Sequence, residues 1–222
     1  MRVLVTGAAG YIGSHACLEL LKSGHEVIGF DNLSNSSERS LTRVRELSGK
    51  PLKFVKLDLL DEPGLKKLFK GRFDAVLHFA GLKAVGESVE QPLLYYRNNV
   101  AGTANLLQAM READCRRLVF SSSCTVYGEV KKNPVDERHP RSAANPYGNS
   151  KLVIEDMCFD LARSEKGWKI ALLRYFNPIG AHERGRIGEA PPRVPNCPMP
   201  YVLQTALGRR PRPTAQEHER HL

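Results

Sequence analysis

Short apolar bursts alternate along the chain with longer stretches whose apolar residues recur at helical spacing. The bursts fall at Arg2–Thr6, Glu26–Phe30, Leu52–Leu57, Asp74–Phe79, Arg117–Ser121 and Ile170–Arg174. Most are continuous Val/Ile/Leu/Phe runs, which predicts strands covered on both faces. Between them the pattern predicts helices near 11–23, 37–48, 62–70, 92–113 and 147–165. In the second, Leu41, Val44 and Leu47 recur on one side; in the fourth, Val100, Ala104, Leu107 and Met110 do. Strict strand–helix alternation implies right-handed crossovers and an α/β fold with a doubly wound parallel sheet.

The pattern stops after Phe176. Pro178, Pro191, Pro192, Pro195, Pro198 and Pro200, with Gly180, Gly185 and Gly188, predict loop. A short helix is expected at 199–207. From Gly208 to Leu222 the chain is polar, with Leu222 its one large aliphatic residue, which predicts a frayed end.

Composition adds exclusions. The net charge is +9, but acids and bases are interleaved without a like-charge run of five. With no basic helix or aromatic-basic array, nucleic-acid binding is not expected; the charge predicts a solvated surface that also attracts anionic substrates. No apolar run approaches the roughly 18–20 residues of a membrane helix. The N-terminal run ends at Gly7 and predicts a strand, not a signal peptide. Cys17, Cys115, Cys124, Cys158 and Cys197 are scattered without a CxxC pair. This argues against a disulfide scaffold or a zinc site, so no metal is expected, and it suits a reducing cytoplasm.

Candidate chemistry begins at Gly7-Ala8-Ala9-Gly10-Tyr11-Ile12-Gly13, between the first strand and the first helix. Glycines there let the backbone approach a pyrophosphate, and the helix N-terminus offers oriented N–H groups. Asp31 closes the second strand, 18 residues past Gly13, where a carboxylate accepts from the adenosine ribose hydroxyls. It would repel a 2′-phosphate, and no arginine follows before Arg39, so NAD is expected over NADP. Asp58 ends the third strand, within reach of an adenine edge. A cap or turn role remains the plain alternative for both aspartates.

Tyr147 and Lys151 stand four residues apart at the start of the fifth helix, on one face. A phenol of pKa near 10 is a poor base at neutral pH. A nearby ammonium favours the phenolate and makes the pair a usable general base. Ser121-Ser122-Ser123-Cys124-Thr125-Val126-Tyr127-Gly128 ends the fifth strand, at the ligand-binding edge of an open α/β sheet. A plain serine-rich loop and a chance Tyr/Lys spacing are the alternatives.

Together, GxxGxxG, His78-Phe79-Ala80-Gly81, SSSCTVYG and YGNSK closely resemble the extended short-chain dehydrogenase/reductase family. FAGLKAVGESVEQP (79–92), YYRNNVAGT (95–103), LLRYFNPIGAH (172–182) and the opening MRVLVTGAAGYIGSH are similar to its UDP-glucose 4-epimerase branch. The resemblance covers about residues 1–207. It implies a Rossmann-like NAD-binding domain at 1–176, the start of a substrate-binding region at 177–207, and a divergent tail at 208–222.

It also implies roles. Tyr11 and Ile12 would lie on the pyrophosphate, and Asp31, Asn32, Leu33, Ser34, Asn35 and Ser36 would hold the adenosine ribose. Asp58 and Leu59 would flank the adenine. Phe79, Ala80, Gly81, Leu82 and Lys83 would line the nicotinamide side, with Asn98 nearby and Phe176 packed beside it. Tyr147 would be the base, Lys151 its partner and ribose anchor, and Ser123 the hydrogen-bond partner of the reacting sugar oxygen. Lys83, Asn177 and Asn196 would contact the UDP-sugar, Asn177 at its phosphates. Hydride would leave sugar carbon 4 and return to the other face, inverting that carbon. A homodimer packed through helices near 95–112 and 147–163 is implied as well.

The chain departs from the family at Asn149, where a second lysine is usual, and at Cys197 and Pro198, which replace an amide and an aliphatic. The loop Ala190-Pro191-Pro192-Arg193 also differs from the usual acidic, glycine-containing form. The family continues well past the position of Arg210, so the expectation is a C-terminally truncated or altered form with an incomplete substrate domain. An NAD-binding remnant without turnover, and an epimerase for another UDP-sugar, stay open as alternatives. A 4,6-dehydratase would need an Asp-Glu pair at 124–125, where Cys124 and Thr125 stand.

Overall fold

The computed structural model describes residues 1–130, 132–189 and 198–209. Six parallel strands form one sheet in the order β3-β2-β1-β4-β5-β6. They are β1 (Arg2–Thr6), β2 (Glu26–Asp31), β3 (Lys53–Lys56), β4 (Ala75–His78), β5 (Arg117–Ser123) and β6 (Lys169–Tyr175). The helices are α1 (Tyr11–Lys22), α2 (Glu38–Ser48), α3 (Glu62–Phe69), α4 (Val85–Glu90), α5 (Pro92–Tyr95), α6 (Gly102–Glu112), α7 (Pro146–Ser164) and α8 (Pro198–Ala206). The strand order reverses between β1 and β4, which opens a crevice at their carboxyl ends.

Alternate side chains of each central strand feed opposite layers. Val3, Val5 and Val27 pack with Cys17, Leu18 and Leu21 of α1 and with Leu41 and Val44 of α2. Leu4, Ile28, Phe30, Val76, Leu118 and Phe120 pack on the other face against α3, α6 and α7, through Leu65, Phe69, Leu106, Met110, Ile154 and Cys158. Burying such an aliphatic or aromatic side chain contributes about 1.5–3 kcal/mol. The expected double coverage of the strands therefore holds for β1, β2 and β4, whereas β5 feeds the second layer alone and the edge strands β3 and β6 are half-exposed.

Two helical features differ from the sequence pattern. The expected helix over 92–113 is α5, a π-helical turn at Tyr96–Ala101, and then α6. The wide turn lets Asn99, 2% exposed, aim its amide inward. There its Oδ1 accepts from the Leu82 N–H at 2.9 Å, and its Nδ2 donates to the Leu82 carbonyl at 3.0 Å and to Ser150 Oγ at 3.1 Å. Helix α4 was not expected. Its apolar residues Val85 and Val89 are exposed and its buried residue is Ser88, so it carries no inward apolar stripe.

β4 is tied to its neighbours by a directional chain through His78, which is fully buried. Thr103 Oγ1 donates to the Asn99 carbonyl at 2.6 Å, so its proton is committed. His78 Nε2, 2.9 Å away, must then carry the hydrogen and donate to Thr103. His78 Nδ1 accepts from Thr6 Oγ1 at 2.7 Å, and Thr6 Oγ1 accepts from the Ala80 N–H at 3.2 Å. One neutral tautomer satisfies every partner. Burial, with the nearby Lys151 charge, pushes the His78 pKa down from 6.5 to about 3.

The unfolded chain therefore takes up a proton below pH 6.5 that the folded chain refuses until about pH 3. Stability is lost as pH falls through that window. Denaturant unfolding should show a loss of about 2 kcal/mol between roughly pH 7.5 and pH 5 from this residue alone. A stability that is flat over that range contradicts the assignment.

Candidate active site

The crevice floor begins at the loop after β1. Gly7 has φ +66°, and a Cβ on it would lie 2.6 Å from the Ala80 nitrogen. A Cβ on Gly13 would lie 2.1 Å from the Gly7 carbonyl oxygen. The β1 and β4 loops thus cross at a separation that only glycine permits. Gly10 sits at the α1 N-terminus, whose first turn carries no acidic residue. Tyr11 and Ile12 are half-buried at its start, and Tyr11 Oη donates to the Gly180 carbonyl at 2.7 Å.

Asp31 ends β2 and is 7% exposed. Its Oδ1 accepts from the Leu33 N–H and from Ser36 Oγ, both at 2.8 Å, and its Oδ2 accepts from the Ala9 N–H at 3.0 Å. The carboxylate is fixed, and Oδ2 keeps acceptor capacity for a further donor. Asn32 Nδ2 donates to Asp58 Oδ2 at 2.8 Å, and the Leu60 N–H donates to Asp58 Oδ1 at 2.8 Å. Asp58 thus braces its own turn and ties it to the loop after β2. Ser34 and Asn35 are exposed on that loop, while Leu59 is buried against Gly102.

Across the switch point, Phe79, Ala80, Gly81, Leu82 and Lys83 form the loop after β4. Asn99 holds it at Leu82, and the position of a Cβ on Gly81 lies 3.6 Å from Lys151 Nζ. Lys83 Nζ pairs with Glu189 at 2.7 Å. The expected Asn98 is half-buried and donates to Asn99 Oδ1 at 2.9 Å. Asn99 is the residue that clamps the loop. In the sequence, two adjacent asparagines inside a helical pattern carry no phase information once a π turn intervenes.

α7 supplies Tyr147 and Lys151. Asn145 caps it by accepting from the Gly148 N–H at 2.8 Å, and Pro146 opens the first turn. Lys151 is 5% exposed and donates from Nζ to the Ser121 carbonyl at 2.9 Å. Its Nζ lies 4.8 Å from the Phe120 ring centre and 5.9 Å from that of Tyr147. Burial pushes its pKa down from 10.5 to about 8, so the group still carries its proton at neutral pH. Tyr147 is half-buried, and its ring meets Tyr95 edge-on at 6.4 Å. Ser123, 7% exposed, closes β5, the strand whose Ser121 carbonyl Lys151 meets.

One turn below Lys151, Glu155 is wholly buried. It takes a bidentate pair from Arg174, Nε to Oε1 at 2.9 Å and Nη2 to Oε2 at 2.7 Å. Ser122 Oγ donates to Oε1 at 2.6 Å, and Arg141 Nη1 reaches Oε2 at 3.2 Å. Burial alone would raise its pKa. The Arg174 and Ser122 hydrogen bonds and the two arginine charges outweigh burial and hold the carboxyl below the usual range. Sequence reasoning missed Glu155 and Arg174. The available signal was a charge four residues past Lys151, on the inward face of the same helix.

Beyond β6, Phe176 is 60% exposed and Asn177 is exposed. The chain then folds back across the crevice mouth. Ala181 bridges Gly188, Ile187 buries into the α1–α2 layer, and Arg186 pairs with Glu46. The sequence pattern predicted only loop here. Asn196, with Cys197 and the Ala190–Arg193 stretch, lies outside the described residues, as does the tail beyond Arg209. Helix α8 begins one residue before its expected start. Among the described residues no group of His, Cys, Asp or Glu could hold a metal, and no helix is long and apolar enough to cross a membrane.

Comparison with known proteins extends this picture. The chain is 59% identical over 213 residues to UDP-glucose 4-epimerase 2 of Arabidopsis thaliana, covering 94% of this chain and 61% of that protein. It is 54% identical over 210 residues to UDP-glucose 4-epimerase of Bacillus subtilis, covering 94% and 62%. The crystal structure of UDP-glucose 4-epimerase from Bifidobacterium longum in complex with NAD+ and UDP superposes with a TM-score of 0.93 at 46% identity, covering 95% of this chain and 64% of that one. A Stenotrophomonas maltophila UDP-glucose 4-epimerase with bound NAD and formylated UDP-arabinopyranose also gives 0.93 at 46% identity, covering 98% and 67%. The chain thus spans about three-fifths of the length of the curated relatives it matches. Residues 3–198 match the NAD dependent epimerase/dehydratase family, and the chain belongs to that family.

Proposed function

We propose that the chain is an NAD-dependent UDP-glucose 4-epimerase that interconverts UDP-galactose and UDP-glucose, with Tyr147 as the base. The observation that carries this reading is the seating of Lys151 Nζ on the Ser121 carbonyl, 5.9 Å from the Tyr147 ring centre, at the end of the strand that Ser123 closes. The close relatives named for the same activity support it.

The crevice suits a dinucleotide. Gly7 and Gly13 leave no room for a side chain, α1 opens without an acidic residue, and Asp31 Oδ2 keeps an acceptor site for a ribose hydroxyl. The NAD bound to the B. longum and Stenotrophomonas relatives supports this assignment. Gly7, Gly10, Tyr11, Ile12 and Gly13 would hold the pyrophosphate; Asp31 through Ser36 the adenosine ribose; Asp58 and Leu59 the adenine. Residues 79–83, with Asn98 and Phe176, would bound the nicotinamide. When bound, NAD would supply a reversible hydride acceptor for sugar carbon 4.

The chain's own groups handle the proton and the positioning. Tyr147 as phenolate removes the proton from the carbon-4 hydroxyl, and the Lys151 ammonium stabilises that phenolate. Ser123 hydrogen-bonds the reacting oxygen. Lys83, Asn177 and Asn196 hold the nucleotide-sugar while the hexose turns. In this reading residues 1–176 are the cofactor domain, and 177–207 begin the substrate region.

A homodimer completes the proposal. The proposed contact runs through the helices near 95–112 and 147–163. Phe159 on α7 is 39% exposed, and Val89, Leu93 and Leu94, just before the first of these helices, are 62%, 80% and 42% exposed, apolar positions suited to a copy of itself. The reducing cytoplasm is the proposed location, with Cys17, Cys115, Cys124 and Cys158 kept as free thiols.

Tyr147→Phe should lower conversion of UDP-galactose to UDP-glucose by about 10²–10⁴-fold and leave NAD affinity nearly unchanged. Turnover at the wild-type rate sinks the assignment of the base. Leu93→Glu should shift the mass measured by light scattering from dimer to monomer; an unchanged dimer refutes that interface.

A further inference from the structure

Ser123 is held by a neighbour that the mechanism above does not use. Its Oγ accepts from the Thr125 N–H at 3.2 Å and from Thr125 Oγ1 at 2.9 Å. A serine hydroxyl has two acceptor sites and one proton. Thr125 thus anchors that oxygen from both its backbone and its side chain, and the Cys124 side chain lies within hydrogen-bond reach of the same hydroxyl. Thr125 is itself wedged against the first turn of α7. A Cβ on Gly148 would lie 2.9 Å from the Thr125 carbonyl oxygen and 3.2 Å from both its Cβ and its Oγ1. The residue after Tyr147 is therefore in contact with the residue that holds Ser123.

We propose that Thr125 is a positioning residue. Its backbone N–H and hydroxyl fix the place of Ser123 Oγ against the oxygen on sugar carbon 4, and its contact with Gly148 sets the spacing between Ser123 and Tyr147. This rests on the epimerase reading above. The proton still passes from the carbon-4 hydroxyl to the Tyr147 phenolate oxygen and returns by the same route.

Thr125→Val keeps the branched shape and removes the hydroxyl, so a role in packing alone predicts no change. The proposal predicts that kcat for UDP-galactose falls about five- to tenfold at constant KM, the size of one lost hydrogen bond. Thr125→Ser, which retains the hydroxyl, should recover most of that loss. Thr125→Ala is the second variant without the hydroxyl and should show at least the same loss.

Calorimetric binding to the NADH-loaded chain, which cannot take the hydride from carbon 4, gives a readout without turnover. UDP-glucose should bind more tightly than its 4-deoxy analogue, and Thr125→Val should narrow that ratio about threefold or more. Unchanged kcat and an unchanged binding ratio in Thr125→Val, beside an active wild type, overturn this inference alone. A wild-type chain that neither turns over nor distinguishes the two sugars overturns the epimerase reading and this inference with it.

Discussion

Where α7 sits along β5 is decided by one buried carboxylate. Glu155 is wholly buried and binds Ser122 on β5, Arg174 on β6 and Arg141 from the loop before α7. Ser122 and Arg174 lie opposite each other in the β5–β6 register, so both strands present their partners to the same point. Removing one partner of such a buried pair costs about 3–5 kcal/mol, because the other charge is left uncompensated. That is a large share of a typical domain's 5–15 kcal/mol. A sliding or rotated α7 is therefore strongly disfavoured. With Glu155 seated on Ser122, Lys151 lands one turn higher on the Ser121 carbonyl. Tyr147 lies a further turn up, where Gly148 meets Thr125.

The other half of the site is fixed by close backbone approach. Gly7 meets Ala80 where the β1 and β4 loops cross, and Thr6 and His78 tie the strands beneath them. Asn99 joins the two halves. Its amide holds Leu82 of the β4 loop and reaches Ser150, whose hydroxyl donates to the Tyr147 carbonyl at 2.7 Å. The crevice wall and the reactive turn of α7 are therefore linked through one buried side chain. Proximity of this kind, set before any ligand arrives, is what lets a phenol and an ammonium act together.

Much of this was readable in the sequence. Continuous apolar runs located every strand to within two residues, the half-exposed edge strands β3 and β6 included. The glycine loop and Asp31 declared themselves by spacing. What stayed hidden depends on side chains meeting across distance. Asn99 was obscured by a π turn that breaks the helical phase, and α4 by having its apolar residues outside. Glu155 and Arg174 lie 19 positions apart, and their pairing follows only from the β5–β6–α7 arrangement. The segment from Gly180 to Glu189 read as loop, yet it spans the crevice because Ile187 finds the α1–α2 layer.

The proposed function requires that hydride and proton leave one sugar carbon and that the hydride return to that carbon's other face. Conversion of UDP-galactose deuterated at carbon 4 tests this most directly, with the product's deuterium content read by mass spectrometry and NMR. The account predicts UDP-glucose that keeps its deuterium at carbon 4, because the label leaves and returns within the same crevice. Absence of conversion, or loss of the label to solvent, would contradict it.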